Sequence, residues 1–258
     1  MDKSGTGAIT DADYWDGFLD ARAAATRIPS WHGTWGKHGA FLRLLTRHCG
    51  SLRGARVIEL GGACSVRLMS LARFAACDAV ALDFAPQRLA VTKQMFQANG
   101  AQVECVAGDL FEYRPTRPFD LVTHWGLLEH FERPAAVMEA SARLLRPGGL
   151  VAFSMPNMEA LGAQLWRSRC PRNWATHIFH SDSVVHEACH AAGLELTATY
   201  HWGPPMLQIS AWERDARWLH GVTLAQVALQ GLAKATPVFQ WGTRLLSMER
   251  AFVARRRA

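Results

Sequence analysis

The chemistry this chain could do is concentrated first in one short turn. Glu59-Leu60-Gly61-Gly62-Ala63-Cys64-Ser65 follows an apolar run over 55–60 and leads into Val66-Arg67-Leu68-Met69-Ser70-Leu71-Ala72-Arg73. The run reads as a buried strand and its continuation as a helix, so the small residues lie at a strand's carboxyl end, where backbone can approach a ligand closely. Glu59, two places before the first glycine, suits a ligand that carries positive charge, and Asp83 closes the next apolar run, 78–82. A carboxylate accepts two hydrogen bonds in one plane, which matches the hydroxyls of a ribose. A second motif is His186-Glu187-Ala188-Cys189-His190, which fits HExxH, with Gly193 at the spacing of the longer zinc-protease signature. Two histidines at i and i+4 on a helix could hold zinc, with Glu187 as base. The third ligand is missing, because position 196 is Leu196, and Glu195 and His201 are off the expected spacing. The same segment reads as an ordinary helix, capped by Ser181 or Asp182 and ended by Gly193.

These groups need a frame, and the chain alternates strand and helix signals. Strands are expected near 55–60, 78–83, 102–106, 119–124, 149–155 and 194–201, and helices near 66–76, 86–98, 133–145 and 182–192. Such alternation predicts a parallel sheet covered on both faces. Asn99-Gly100, Pro147-Gly148-Gly149 and Gly193 supply turns where that fold wants them. Residues 11–50 look helical, through Tyr14, Trp15, Phe18, Leu19 and again Phe41, Leu42, Leu44, Leu45. Residues 212–246 read as mostly helical with breaks at Gly221, Gly231 and Pro237, and Ala251-Phe252-Val253-Ala254 as a last short strand or a continued helix. The expected division is a helical arm over 1–50, a core over 51–205 with a covering segment at 157–181, and a helical segment with a last strand over 206–258.

Composition narrows the class. A chain of 258 residues, 49% apolar, can bury a sizeable core and is not expected to be disordered. The net charge of +6 comes from scattered arginines with one terminal run, Arg255-Arg256-Arg257, which reads as a basic soluble enzyme rather than a nucleic-acid binder. Six cysteines without a CxxC pair or regular spacing predict free thiols in a reducing, cytoplasmic setting. The polar, acidic start does not read as a secretory signal, and no uncharged run reaches membrane-span length. The expected partner is a small-molecule substrate, with no nucleic acid, no stable membrane insertion, and a monomeric or homodimeric state.

Five pieces occur in order: Val57-Ile58-Glu59-Leu60-Gly61-Gly62, Asp83-Phe84, Gly108-Asp109-Leu110, Phe119-Asp120-Leu121-Val122 and Leu145-Arg146-Pro147-Gly148-Gly149. Together they resemble a class I S-adenosylmethionine-dependent methyltransferase. Leu127-Leu128-Glu129-His130, Pro156-Asn157 and His177-Ile178-Phe179-His180-Ser181 are similar to the ubiquinone-biosynthesis type that acts on small molecules. The match covers about 50–205. The resemblance implies a Rossmann-like, doubly wound, mostly parallel seven-stranded sheet with a helical N-terminal arm and a C-terminal helical insertion. It also implies roles. Glu59 anchors the loop or meets the methionine amino group, Gly61, Gly62 and Ala63 line the methionine, and Asp83 holds the ribose. Phe84 lies against the adenine, Asp109 accepts from its amino group with Gly108 and Leu110 beside it, and His124 sits where cofactor and substrate meet. The family's loop has three alternating glycines; here the second and third are Ala63 and Ser65, and the methyl of Ala63 crowds the ligand if that residue needs a positive φ. Structural alternatives stand beside these roles: Asp83 could cap the helix begun by Pro86, Asp109 could serve a turn, Asp120 reads as structural, and His130 beside Glu129 could be an ordinary hydrogen-bonded histidine.

All ten tryptophans lie outside 36–124. Trp15, Trp31 and Trp35 fall in the arm, and Trp125, Trp166, Trp174 and Trp202 after the fourth strand, two regions that the resemblance places on opposite sides of the substrate. They would wall a flat, apolar acceptor and exclude water, or simply fasten the arm and the 157–181 segment to the core. Substrate contacts are expected from Trp15, Trp31, His32, Trp35, Trp125, Trp174 and His180, and a base from His124 first, then His177 and His130. The reaction is an in-line displacement onto an oxygen or nitrogen, less readily a carbon, of a small aromatic or heterocyclic metabolite, and no metal is expected. A nicotinamide oxidoreductase is the alternative, but Gly61-Gly62-Ala63-Cys64-Ser65-Val66 fails the second and third glycines of G-x-G-x-x-G. A cofactor-binding protein without turnover, a nucleic-acid methyltransferase lacking its Asn/Asp-Pro-Pro-Tyr/Phe motif, and an HExxH zinc hydrolase are less favoured.

Overall fold

The computed structural model describes residues 8–10, 15, 24–33, 36–205, 228 and 242–257. Seven strands form one sheet: β1 (Arg56–Leu60), β2 (Asp78–Asp83), β3 (Glu104–Ala107), β4 (Phe119–Trp125), β5 (Leu145–Pro156), β6 (Leu194–Pro205) and β7 (Ser247–Arg256). Their order is β3-β2-β1-β4-β5-β7-β6. The pairs among β1 to β5 are parallel, and β7 runs antiparallel to both β5 and β6. The chain builds outward from β1 to β3 and then crosses back to β4, so the order reverses between β1 and β4. Ligands of open α/β sheets bind outside the carboxyl ends of the strands at such a point.

Seven α-helices accompany the sheet among the described residues: α1 (Gly36–Cys49), α2 (Val66–Ser70), α3 (Pro86–Ala98), α4 (Pro134–Leu144), α5 (Leu161–Arg169), α6 (Pro171–Ala175) and α7 (Asp182–Ala191). Both sheet faces are buried, which is why the inner strands read as unbroken apolar runs. On one face Ile58, Leu60, Val122 and Phe153 pack with Val137 and Met138 of α4 and Val185 and Cys189 of α7. On the other, Val57, Ala81, Leu121 and Ala152 pack with Phe41 and Leu45 of α1, Leu68 of α2 and Phe96 of α3.

The expected mostly parallel seven-stranded sheet is present, with local differences. The helix expected over 66–76 is α-helical only to Ser70 and continues as a wider π turn, Leu71–Ala75. Ala76 leaves it at φ 53, a left-handed exit that no glycine or asparagine marks in the sequence. The third strand starts two residues later than expected, and Ala251–Ala254 lies within a ten-residue strand rather than a helix. The arm is not one helix: Gly36–Cys49 is helical, Ser30–Gly33 is a 3-10 turn, and residues 26–29 are irregular. Asn99 fixes that irregular stretch, accepting from Ile28 N–H at 2.9 Å and donating to Thr26 O at 2.8 Å. Further out, Ile9 N–H donates to His130 O at 2.9 Å. Of the expected 212–246 helix, only Ala228 and residues 242–246 are described, and Trp35 also lies outside the described residues. No helix among the described residues is long and apolar enough to cross a membrane. All six cysteines are free thiols.

Candidate active site

The turn after β1 is shaped by close approach. Gly61 has φ 66, and a Cβ on Gly62 would stand 2.7 Å from Glu59 O and 3.2 Å from Ala81 Cα, so no side chain fits there. Gly62 N–H donates to Leu82 O at 3.1 Å, which locks the turn to β2. Ala63 does not need the positive φ that would have crowded a ligand; the left-handed non-glycine residue of the turn is Cys64, at φ 60. Ala63 therefore keeps an ordinary backbone, and its methyl joins the core beneath. Cys64 is held in this uncommon conformation by its N–H, which donates to Thr92 Oγ1 at 2.7 Å. Ser65 caps α2, accepting from Leu68 N–H at 3.0 Å.

Two acidic side chains stand at neighbouring strand ends. Asp83 is 7% exposed, and its carboxylate accepts from Ala63 N–H at 3.1 Å and Ala85 N–H at 2.9 Å. It thereby ties the glycine turn to the turn before α3, while the cap position of α3 is Ala85. Phe84 beside it is 43% exposed, a ring open to a planar ligand. Glu59 is buried, and its Oε2 makes no hydrogen bond. Burial pushes its pKa up to about 7, against the pull of Ser65, the Arg67 charge, Trp125 and Thr123. The indole N–H of Trp125 is buried and pulls on this carboxyl without closing a hydrogen bond to it. Trp125 lies edge-on to Phe41 at 5.0 Å and under the guanidinium of Arg67 at 4.7 Å. Gly108 N–H donates to Asp83 O at 3.0 Å, and Asp109 is exposed with Oδ1 accepting from Phe111 N–H at 2.8 Å, so it shapes its own turn. Leu110 packs against the core beside it.

The histidines divide into two environments. His124 is fully buried on the sheet face, stacked on Phe153 at 4.9 Å, and neither ring nitrogen has a partner. Burial lowers its pKa to about 3. His130 and His177 lie together, ring centres 4.8 Å apart, in the wall between the turn after β4 and the 157–181 segment. His130 Nδ1 lies 2.7 Å from Thr176 O and His177 Nδ1 2.7 Å from Asn173 O. A carbonyl only accepts, so both rings carry Nδ1–H and keep a lone pair on Nε2. Burial lowers both, His130 to about 4. Glu129 joins them: a carboxylate oxygen of Glu129 and one ring nitrogen of each histidine lie within 4.8 Å of one another. Among the described residues this is also the group that could hold a metal ion, whereas His186, Glu187 and His190 of the HExxH helix are exposed and belong to no such group.

The aromatic walls are partly in place. Trp15 stands edge-on to His130 at 5.1 Å with the Arg88 guanidinium 5.6 Å from its ring, so its indole lies between α3 and the turn after β4. Trp174 and His177 both pack edge-on against the buried ring of Trp166. His180 Nε2 donates to Phe131 O at 3.1 Å, and its carbonyl accepts from Arg250 at 2.6 Å, so it fastens the segment to the turn after β4 and to β7. Trp31 and His32 lie in the 3-10 turn, and their side chains are outside the described residues. Sequence reasoning passed over Arg67, Glu249 and the chemistry of Glu129. The last carried one visible mark, an acidic residue set among Leu127, Leu128 and Phe131.

Known proteins are similar to this chain in sequence and in fold. Residues 37–199 match the model of a family described as a methyltransferase domain. A ubiquinone biosynthesis O-methyltransferase of Azoarcus sp. is 30% identical over 184 residues, 65% of this chain and 76% of the relative. One of the same name from Neisseria meningitidis is 36% identical over 110 residues, 41% of this chain and 46% of the relative. Phosphoethanolamine N-methyltransferase 2 of Haemonchus contortus, solved with S-adenosylmethionine, superposes with a TM-score of 0.63 at 18% identity, covering 98% of this chain and 61% of that one.

Proposed function

We propose that this chain, which belongs to the methyltransferase-domain family and is an S-adenosylmethionine-dependent methyltransferase, methylates a small aromatic or heterocyclic metabolite on oxygen or nitrogen. When bound, S-adenosylmethionine supplies a sulfonium methyl, and in-line displacement leaves S-adenosylhomocysteine. The observation that carries the reading is Glu59. Its buried, unpartnered oxygen stands beside the glycine turn at the switch between β1 and β4, and a buried acceptor without a donor fits a positively charged ligand. Gly61, Gly62 and Ala63 line the methionine, Asp83 takes the ribose hydroxyls, Phe84 covers the adenine, and Gly108, Asp109 and Leu110 border it. Asp83 would give up neither turn, since a carboxylate has lone pairs left after accepting from Ala63 and Ala85.

Trp15, Trp125 and Trp174 wall the acceptor and exclude water, and His180 holds the segment beside them; the further substrate contacts read from the sequence, Trp31, His32 and Trp35, lie outside the described side chains. The relatives' printed name, O-methyltransferase, supports oxygen over nitrogen as the target. Of the candidate bases His124, His130 and His177, the last two are favoured, because they stand in a polar group at the wall while His124 is stacked within the apolar face. Most of the acceleration comes from alignment of acceptor and methyl. The place of action is proposed to be the cytoplasm, and the protein a monomer or homodimer. Calorimetry with S-adenosylmethionine and S-adenosylhomocysteine, followed by a methyl-transfer screen of phenols and heterocyclic amines, tests this. Uptake of NADH with indifference to S-adenosylmethionine would overturn it.

A further inference from the structure

We propose that Arg67, held in place by Glu249, is the receptor for a carboxylate carried by a ligand of this site, either the amino-acid end of the cofactor or an acid group on the methyl acceptor. The proposal rests on the methyltransferase reading and adds a binding group that neither the glycine turn nor Asp83 supplies. Arg67 stands in the first turn of α2, just past its cap Ser65. Its guanidinium leaves the helix and crosses to the far half of the sheet. It lies over Trp125, the last residue of β4, at 4.7 Å, donates to Ser154 Oγ of β5 at 3.2 Å, and pairs with Glu249 of β7 at 2.6 Å. Trp125 is the register partner of Ser154, and Glu249 that of Pro156 at the end of β5. The three contacts therefore sit together at the strand ends, on the acceptor side of the switch point between β1 and β4.

A guanidinium carries five N–H donors in a fixed plane. Glu249 takes two of them, both from Nη2, and Ser154 takes one from Nη1. The second Nη1–H and the Nε–H bond to nothing among the described residues. They are not sealed off, since the Arg67 side chain is 27% exposed and that of Glu249 29%. Glu249 fixes the guanidinium across the strand ends before a ligand arrives, so less side-chain freedom is lost on binding.

The neighbour across Trp125 says what kind of ligand this is. Trp125 turns its ring face to Arg67 and its indole N–H toward the carboxyl of Glu59, which also feels the Arg67 charge. Glu59 is 3% exposed and its Oε2 has no hydrogen-bond partner. One indole thus separates a buried acceptor without a donor from a cation with donors left. An α-amino acid joins an ammonium to a carboxylate through one carbon, and its two ends match that pair of groups. An aromatic acid entering over β5 would meet the same N–H groups. In both cases the ligand oxygen gains charge-assisted hydrogen bonds in a partly enclosed site, where they are stronger than in water.

Two paired comparisons read the carboxylate from each source. In the first, calorimetry compares S-adenosylmethionine with its decarboxylated analogue, which keeps the ammonium and the sulfonium. In the second, protein saturated with S-adenosylhomocysteine is titrated with 4-hydroxybenzoate and with phenol. Wild-type protein should prefer the acid by at least about tenfold in one of them, and Arg67→Met should bring that preference to within about twofold of unity. Loss in the first comparison identifies the cofactor's carboxylate, and loss in the second the acceptor's. Each preference is a ratio taken within one variant, so a smaller folded fraction does not imitate the result. Arg67→Lys should keep part of the preference. Glu249→Gln, which still accepts from Arg67 but no longer competes as an anion, should raise it. A preference missing from wild type in both comparisons, or held in Arg67→Met within about twofold of wild type, overturns the proposal and leaves Arg67 and Glu249 as a structural pair. Wild-type protein that binds neither S-adenosylmethionine nor S-adenosylhomocysteine would sink the methyltransferase reading itself, a distinct result.

Discussion

Arg67 grips Glu249 with one guanidinium nitrogen, Nη2, 2.6 Å from each carboxylate oxygen. The pair joins the first turn of α2, just past the glycine turn, to β7. The same guanidinium lies over Trp125 at 4.7 Å, and its Nη1 donates to Ser154 Oγ at 3.2 Å. A charged side chain shared between an aromatic face and a carboxylate is a positioning device for whatever lies beside Trp125. Glu249→Ala should lower stability by about 1 kcal/mol, since the pair is only partly buried, and free Arg67 from Trp125. Urea unfolding gives the first, and a shift in Trp125 fluorescence, read against Trp125→Phe, the second.

Asp83 serves two backbone turns as well as its proposed ligand. Asp83→Ala should weaken S-adenosylmethionine binding at least tenfold, about 1.4 kcal/mol or more. It should also destabilise the protein by roughly 1–3 kcal/mol, because the N–H groups of Ala63 and Ala85 lose their partner. Asp83→Asn keeps one acceptor and should lose less of both. Cofactor affinity unchanged in the alanine variant would remove the ribose assignment.

Cofactor affinity should depend on pH through Glu59. With a pKa pushed up to about 7, the side chain is neutral below that point and negative above it. A cation binds the ionised form better, so affinity for S-adenosylmethionine should rise from pH 5.5 to 8, by at most about tenfold per unit. Glu59→Gln should bind weakly and flatten the profile. Calorimetry across this range checks both.

The stability of the cofactor-free protein should peak between about pH 4.5 and 6.5. Glu59 and Glu129 are raised from 4.5, to about 7 and about 8, so the folded state binds their protons more tightly and stability falls as pH rises through those values. His124 and His130 are lowered from 6.5, to about 3 and about 4, so the unfolded state binds their protons more tightly and stability falls as pH drops. Between 4.5 and 6.5 the two effects oppose one another. His124→Phe, which keeps the stack on Phe153 without the two unpartnered nitrogens, should flatten the acid side. Melting temperature against pH reads the profile.

The sheet was legible because burial on both faces wrote β1, β2 and β4 as apolar runs, and the glycine turn, Asp83 and Phe84 stood out as chemistry at strand ends. The left-handed residue of the turn was not, since Cys64 gives no sign of φ 60. Glu129 was read only as company for His130. Its burial beside His177 joins residues far apart in the chain. Arg67 and Glu249 were invisible for the same reason, being 182 positions apart.

The antiparallel insertion of β7 sets an order of events during synthesis. Among the described residues β6 has no neighbour in the sheet except β7, so after the ribosome has delivered residues 194–205 that strand waits for 247–256 to complete this pairing. Until then β5 also presents a bare edge, open to a neighbouring nascent chain. The long-range closure should make the last step of folding slow, and a ribosome stalled before residue 247 should hold a chain that chaperones recognise and proteases cut near β6.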